Sequence, residues 1–208
     1  MLLAFDTATH AVTVALHDGS GVVAESTVVD ALRHGELLAP GIKRVLDEAG
    51  VSPTRLTRIG VGVGPGPFTG LRVGIMTART MGAVLGIPVV GVCTLDVVAA
   101  AVTAAGPVLV ATDARRKEVY WATYDRDGRR TDGPHVAKPA MVATSDPVAG
   151  AGALLYPACF PQPIAPEHPA ASDLATLVEA STVAPLPAEP LYLRRPDAVE
   201  AAVRKRVL

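Results

Sequence analysis

The order of elements at the start of this chain is repeated about halfway along it. Residues 3–24 and residues 110–131 each contain a predicted buried strand that ends at an aspartate, Asp6 or Asp113, and continues into a predicted β-hairpin. Further identities keep the same interval: Ala4 with Ala111, Val12 with Val119, Ala15 with Ala122, Asp18 with Asp125 and Gly21 with Gly128. Identities arise easily in a chain rich in Ala and Val, so the matched order of elements is the stronger sign of a structural duplication.

The dipeptide Gly106-Pro107 separates the two copies and is the predicted domain boundary. Residues 1–106 form the predicted N-terminal half. Residues 107–208 form the predicted C-terminal half, which is degenerate and contains proline-rich connections and a basic tail. Two halves that each begin with a strand, an acid and a hairpin predict an α/β protein with the duplicated fold of actin, Hsp70 and the sugar kinases (the ASKHA fold).

A turn rich in glycine and proline joins a predicted strand to a predicted helix in the first half. The stretch 60–74 reads GVGVGPGPFTGLRVG, and Thr69 is the predicted N-cap of the helix. Helix N-termini attract phosphate, but neither G-x-G-x-x-G nor G-x-x-x-x-G-K-[ST] spacing is present. Two interpretations stay open: a phosphate-binding turn, and a structural turn that lets the helix pack closely on its strand.

Composition argues against several classes of function. A net charge of −1 over 208 residues gives no overall basic field for nucleic acid, and one Trp gives little surface for base stacking. The longest apolar run, residues 97–105, is about half of a membrane span, and the N-terminus lacks the basic residues of a signal peptide. Cys93 and Cys159 lack metal or redox spacing and are predicted to be reduced thiols. We therefore expect a soluble, cytoplasmic protein without a membrane association.

In the ASKHA fold, ATP lies between the halves, with its phosphates held by the two hairpins and Mg²⁺ placed through the two acids. The first loop here, residues 6–10, reads DTATH and has no glycine to let the backbone approach a phosphate. The second loop, residues 113–118, reads DARRKE and is bulky and charged. We therefore expect a degenerate nucleotide cleft at Asp6, Thr9 and Asp113, and no cofactor held by this chain itself.

Five stretches together resemble the bacterial TsaB family, also called YeaZ. They are AFDTAT at 4–9, GPGPFTGLRVG at 64–74, GVCTL at 91–95, DAR and EVYWA within 113–122, and YLR at 192–194. They follow the family's order over nearly the whole chain, which is more specific than any one of them. Pro67 is a departure, because the family usually has serine there, and the turn is expected to survive it.

The resemblance implies a role in making N6-threonylcarbamoyladenosine (t6A) next to the anticodon of tRNAs that read ANN codons. It implies a non-catalytic partner of TsaD, the enzyme that transfers the threonylcarbamoyl group and holds a metal through histidines, with the ATPase TsaE joining them. ATP or ADP and the metal are expected on the partners. We expect tRNA to bind only through the complex, and the isolated chain to be able to form a homodimer.

The histidines fit a non-catalytic role, because no two of the five are three to five residues apart, as a helical metal pair requires. His34, at the start of a helix predicted over residues 33–49, is expected to be a capping or surface residue. A rival function is a self-sufficient ATP-dependent kinase or acyltransferase of the same fold, which would favour glycine-bearing phosphate loops. Another is an RNA-binding module, which would favour a basic face or stacking aromatic residues.

Small residues recur every four positions along the helix after the turn, where Gly74, Ala78 and Gly82 form a small-residue seam. The helix over residues 33–49 is apolar over more than one face, which predicts a second neighbour. One interpretation is a two-helix face that binds TsaD, and the other is that the seam packs the helix onto its own domain. The candidate partner-binding residues are Leu37, Gly41, Leu46, Gly74, Ala78 and Gly82.

Overall fold

The computed structural model describes residues 1–194, and the predicted basic tail lies outside the described residues. The helices and strands of the first half are β1 (Leu2–Asp6), β2 (Ala11–His17), β3 (Val22–Val29), α1 (His34–Glu48), β4 (Arg58–Gly62), α2 (Phe68–Leu85), β5 (Val89–Val92) and α3 (Thr94–Ala100). Those that follow are β6 (Val108–Asp113), β7 (Val119–Tyr124), β8 (Arg130–Ala137), β9 (Val148–Ala149), α4 (Ala151–Leu155), β10 (Pro163–Ile164) and α5 (Ala171–Ala180).

The two five-stranded sheets have the same strand order. The first runs β3-β2-β1-β4-β5 and the second runs β8-β7-β6-β9-β10. In both sheets the first three strands in sequence are antiparallel neighbours, and the next two are added parallel on the other side of the first strand. The structure thus confirms the duplicated α/β fold that the repeat predicts.

The last helix of each half packs against the other half. Helix α3 follows the first sheet but contacts β6 and β7 of the second, where Tyr124 donates a hydrogen bond from its hydroxyl to Asp96 (2.8 Å). Helix α5 follows the second sheet but covers one face of the first, where Leu174 and Val178 join a core with Leu2. Helices α1 and α2 cover the opposite face. The two halves therefore exchange helices, and a domain boundary at Gly106-Pro107 stays a prediction.

Residues 184–194 form a strap that runs from the first half to the second. The backbones of Leu186 and Gly91 exchange two hydrogen bonds of 2.9 Å beside β5, and Leu191 donates to the carbonyl of Val63. Arg194 then donates from Nη1 to the carbonyl of Ala114, at the end of β6 (2.7 Å). Leu186 and Leu191 also pack against the hydrophobic clusters of both halves. The strap therefore adds backbone and apolar contacts between the two halves.

The predicted N-cap of helix α2 is wrong. Helix α2 begins at Phe68 after Pro67, so Thr69 lies inside the helix and is not its N-cap. Helix α3 begins at Thr94, and Cys93 occupies the N-cap position. Pro67 has φ of −60° and no side chain that can cap the helix by a hydrogen bond. The start of α2 therefore lacks the polar N-cap residue by which a helix start is usually recognised in a sequence.

Among residues 1–194, no helix combines the length and the apolar character needed to cross a membrane. Cys93 and Cys159 are both free thiols.

Candidate functional site

The glycine-rich turn packs directly on the loop between β1 and β2. A Cβ atom added to Gly66 would overlap the carbonyl oxygen of Ala8, and one added to Gly70 would overlap that of Thr7. The hydroxyl of Thr7 also donates to the carbonyl of Gly70 (2.7 Å). The space in which a phosphate would meet this turn is therefore filled by the chain's own backbone, which supports the structural interpretation of the turn.

Asp6 is fully buried behind this turn. Its Oδ1 accepts a hydrogen bond from the Ala8 amide (2.6 Å), and its Oδ2 accepts one from the Thr94 hydroxyl (2.7 Å). Thr94 Oγ1 in turn accepts from the Gly64 amide (3.1 Å). Burial raises the pKa of Asp6 to about 6, although these hydrogen bonds and the nearby His34 act in the opposite direction. The carboxylate thus connects β1, the turn and α3 and does not line the remaining cavity, so its assignment to a nucleotide cleft stays a prediction.

His34 is not the surface residue that the sequence suggests. It is buried, and its Nε2 lies 2.6 Å from the carbonyl oxygen of Thr9. Helix α1 is thereby fixed to the loop that follows β1. A single histidine in a helical pattern carries no signal of such a contact, so sequence analysis could not have found it.

The cleft between the halves is nearly closed. Thr9 and Asp113 do meet there, and His10 reaches from the first half to place Nε2 3.8 Å from Oδ2 of Asp113. The residues around the remaining cavity are Thr9, His10, Pro67, Thr112, Asp113, Ala151, Glu167 and His168, and the cavity volume is about 10 Å³. This volume holds about one water molecule, and small-molecule sites typically need about 300 Å³ or more.

Two polar atoms at this cavity have no hydrogen-bond partner among residues 1–194. They are the Thr112 hydroxyl oxygen and His168 Nδ1, and both are buried. Burial lowers the pKa of His168, and the neighbouring Glu167 opposes that shift. Within the described part of the chain, no group of three or more His, Cys, Asp or Glu side chains could hold a metal ion.

The second turn of the repeat is strongly charged and has an unusual backbone. Arg115, Arg116 and Lys117 are consecutive residues in the left-handed region, with φ values of 58°, 54° and 60°. Each such residue other than glycine costs about 1–2 kcal/mol. The turn is held by Asp113, whose Oδ1 accepts from the Arg115 amide (2.8 Å), and by a backbone hydrogen bond from Ala114 to Glu118.

The small-residue seam of α2 faces the interior of the protein. Ala78 is fully buried, and added Cβ atoms would meet Thr7 at Gly74 and Val89 at Gly82. On α1, Leu46 is buried and Gly41 lies against Val14 of β2, while Leu37 is half-buried. The structure therefore contradicts the seam as a partner face and supports the alternative, in which it packs α2 on its own sheet.

Apolar side chains are nevertheless exposed on α2 and just before α1. The exposed fractions are 89% for Leu32, which precedes α1, and 56% and 78% for Met76 and Val84 on α2. We call these three residues the outer apolar face. Helical periodicity predicted the stripe of Gly74, Ala78 and Gly82 on α2. It could not show whether this stripe or the side with Met76 and Val84 packs against the sheet.

Two larger grooves lie away from the cleft. One, of about 740 Å³, lies between α3, the β7–β8 hairpin and residues 182–186. The other, of about 470 Å³, lies beside Trp121 on the second sheet. No sequence-predicted site residue lines either groove.

Comparison with known proteins gives a consistent set of similarities. A model of the family described as "TsaD: tRNA N6-adenosine threonylcarbamoyltransferase" matches residues 9–183. The solved structure of YeaZ from Pseudomonas aeruginosa is 33% identical, with a TM-score of 0.77, over 91% of this chain and 99% of that one. The Escherichia coli tRNA threonylcarbamoyladenosine biosynthesis protein TsaB is 37% identical over 150 residues, which are 68% of this chain and 64% of that protein.

A Mycobacterium leprae protein is 46% identical over 203 residues. These residues are 95% of this chain and 56% of that protein, so the chain spans little more than half of this relative's length.

Proposed function

Because this chain belongs to the TsaB family, also called YeaZ, we propose that it is a non-catalytic partner of TsaD in t6A biosynthesis. In this role it supports transfer of the threonylcarbamoyl group to N6 of the adenosine next to the anticodon of tRNAs that read ANN codons. Family members carry the name of this pathway. What this chain contributes is a folded surface for the enzyme that performs the transfer.

The closed cleft is the observation that carries the proposal. The cavity of about 10 Å³ between the halves is far smaller than a nucleotide requires. Asp6, which corresponds to an acid that places Mg²⁺ in ATP-binding relatives of the fold, is already bonded to Thr94 and Ala8. The protein thus uses this carboxylate as an internal connection. Both features favour a structural role for the site in which other members of the fold bind ATP.

The outer apolar face supports the partnership with TsaD. Leu32 before α1, and Met76 and Val84 on α2, expose large apolar side chains on the first half. Exposed apolar side chains in a group are typical of protein interaction sites. Helices that present such side chains pack well against a second pair of helices, which a relative of the same fold can supply. We propose that this face, and not the buried seam, contacts TsaD, and that in the isolated chain it can join two copies into a homodimer.

The remaining partners follow from the same role. TsaE joins the complex, ATP or ADP and the metal ion are held by the partner proteins, and tRNA binds through the assembled complex. The reaction takes place in the cytoplasm, where the tRNA is modified and where the two free cysteines stay reduced.

The test is a transfer assay with TsaD from the same organism, unmodified tRNA and supplied threonylcarbamoyl-adenylate. We expect no transfer by this chain alone and transfer when TsaD is added. The double variant Met76→Glu/Val84→Glu should keep its melting temperature but lose at least about tenfold in TsaD affinity, because two charges would be desolvated at the interface. The matched control is Leu154→Glu/Leu155→Glu, which changes two similarly exposed apolar residues on α4.

Transfer by this chain without TsaD would contradict the non-catalytic role and favour a self-sufficient acyltransferase. Equal TsaD affinity of both double variants would show that the partner binds elsewhere. Size-exclusion chromatography with light scattering gives the mass of the complex and of the isolated chain in the same preparations.

A further inference from the structure

A continuous surface beside the cleft carries cationic side chains from both halves of the chain. On α2, Arg72 donates from Nε to the hydroxyl oxygen of Tyr192 (3.1 Å) and lies over the ring of Phe68. The strap leads from Tyr192 to Arg194, which donates to the carbonyl of Ala114. Ala114 immediately precedes Arg115, Arg116 and Lys117, which form the second turn of the repeat. We call Arg72, Arg115, Arg116, Lys117 and Arg194 the cationic surface.

Positive charge exceeds negative charge on this surface. Five cationic side chains lie here with the carboxylates of Asp113, whose Oδ2 lies 3.6 Å from Nε of Arg115, and of Glu118, which forms an ion pair with Arg194. Arg115 and Lys117 are exposed to solvent. The chain as a whole has a net charge of −1, so this surface is a local cluster of cations on a protein without an overall basic field.

The backbone of the second turn gives an independent indication of function. Glycine or asparagine would adopt three consecutive left-handed conformations with less strain than Arg115, Arg116 and Lys117. Strained backbone of this kind is concentrated at functional sites, where the side chains are needed in spite of the conformational cost. What these three side chains share is a positive charge on a long, exposed stem.

We propose that the cationic surface binds backbone phosphates of the tRNA when this chain is assembled with TsaD. The inference rests on the proposed function, because the TsaD complex is what brings tRNA to this chain. Arginine and lysine bind nucleic acid by neutralising phosphates and releasing counterions. Phe68 and Tyr192 lie within the surface with ring centroids 4.5 Å apart, and Tyr192 is 39% exposed. An unstacked base of an RNA loop can stack on such a ring, which favours RNA over an acidic protein.

The contact supplements binding by the enzyme and does not replace it. A few phosphate contacts on a protein of net charge −1 give weak affinity at physiological salt, because repulsion from the rest of the chain opposes them. Within the complex, the same contacts become part of one larger surface, and their free energies add to those that TsaD supplies. The isolated chain should therefore bind tRNA poorly, while the complex should depend on these side chains.

The experiment measures binding of unmodified tRNA to the complex with TsaD by fluorescence anisotropy over a series of potassium chloride concentrations. The variant Arg115→Glu/Lys117→Glu is compared with Arg126→Glu/Arg129→Glu, which makes the same charge change on the β7–β8 turn, at the opposite end of the second sheet. We expect the first variant to weaken tRNA binding about tenfold or more and to reduce the slope of log K against log salt by about two. The control should stay within about twofold of the wild type.

Each outcome bears on the inference. If both variants bind tRNA like the wild type, the cationic surface does not contact phosphate. If both lose affinity equally, the effect is one of total charge, and the assignment to this surface is wrong. If the first variant loses TsaD instead of tRNA, the surface is a protein interface. If the wild-type complex itself fails to form or to bind tRNA, the proposed function fails first, and this inference fails with it.

Discussion

The two copies of the strand–aspartate–turn unit have the same place in the topology but opposite environments. In the first copy, Asp6 is fully buried, and the loop after it is covered by the glycine-rich turn. In the second copy, Asp113 is partly exposed, and the turn after it carries three cations on a left-handed backbone. Because the strand order is the same, the topology does not explain this difference. The difference comes from the residues that follow each aspartate, which are TATH after Asp6 and ARRKE after Asp113.

The contrast separates two roles that the same unit can take in one chain. The first copy has become part of the core, since Asp6 joins three segments through Thr94 and Ala8. The second copy lies at the surface and carries positive charge. A duplicated fold can therefore use one unit for packing and the other for a charged surface.

The largest change in stability should come from the first copy, where the glycine-rich turn packs on the loop after Asp6. Gly66→Ala places a methyl group on the carbonyl oxygen of Ala8, and both partners are backbone, so the clash is relieved only by moving the turn. We expect a loss of about 3 kcal/mol or more in the free energy of unfolding, measured by urea denaturation. Gly21→Ala is the control, because nothing lies within 4 Å of its added Cβ. Equal stability of the two variants would mean that the turn is not tightly packed.

The next effect concerns the titration of the buried acid. Burial raises the pKa of Asp6 from its ordinary value of 3.8 to about 6, so between these values the folded chain binds more protons than the unfolded chain does. Stability from this group is therefore highest at low pH and falls as the pH rises through that window, by about 3 kcal/mol in total.

The measurement compares wild-type protein with Asp6→Asn in urea denaturation from pH 4 to pH 7. The asparagine variant lacks this titration, so the wild type should lose stability relative to it as the pH rises. A constant difference between the two unfolding free energies would place Asp6 in a solvated environment and remove its contrast with the second copy.

The smallest effect should come from the strained turn. Lys117→Gly removes a side chain that disfavours the left-handed backbone and should raise the free energy of unfolding by about 0.5–1 kcal/mol. The control is Lys138→Gly, an exposed position with φ of −68°, where glycine should lower stability by a similar amount because it gains entropy in the unfolded chain. Destabilisation by both substitutions would show that the turn is not strained by its side chains.

The fold could be predicted because its main signals are repeated and local. The two aspartates, their strands and their hairpins lie at matching intervals, and each strand shows its own apolar pattern. Helix α1 was predicted at residues 33–49 and lies at His34–Glu48 for the same reason. Local patterns determine which elements form, and the repeat determines how they are ordered.

The candidate site was harder to predict because its contacts join distant residues. Thr94 is 88 residues from Asp6, and its hydroxyl donates to that carboxylate, which no local pattern reveals. Gly74 and Gly82 formed a regular stripe, but periodicity cannot say whether a stripe meets a sheet or a partner. The left-handed turn was also hidden, since arginine and lysine carry no turn signal.

The exchange of helices between the halves has a consequence for synthesis on the ribosome. The first sheet is complete once residue 92 has emerged, but the helix that covers one of its faces ends at residue 180. Until that helix leaves the exit tunnel, Leu2 and Ala4 lack the apolar partners that bury them in the finished protein. The core of the first half is therefore completed only after almost the whole described chain has been synthesised. We expect a nascent chain stopped at residue 106 to expose an apolar sheet face, to which chaperones can bind.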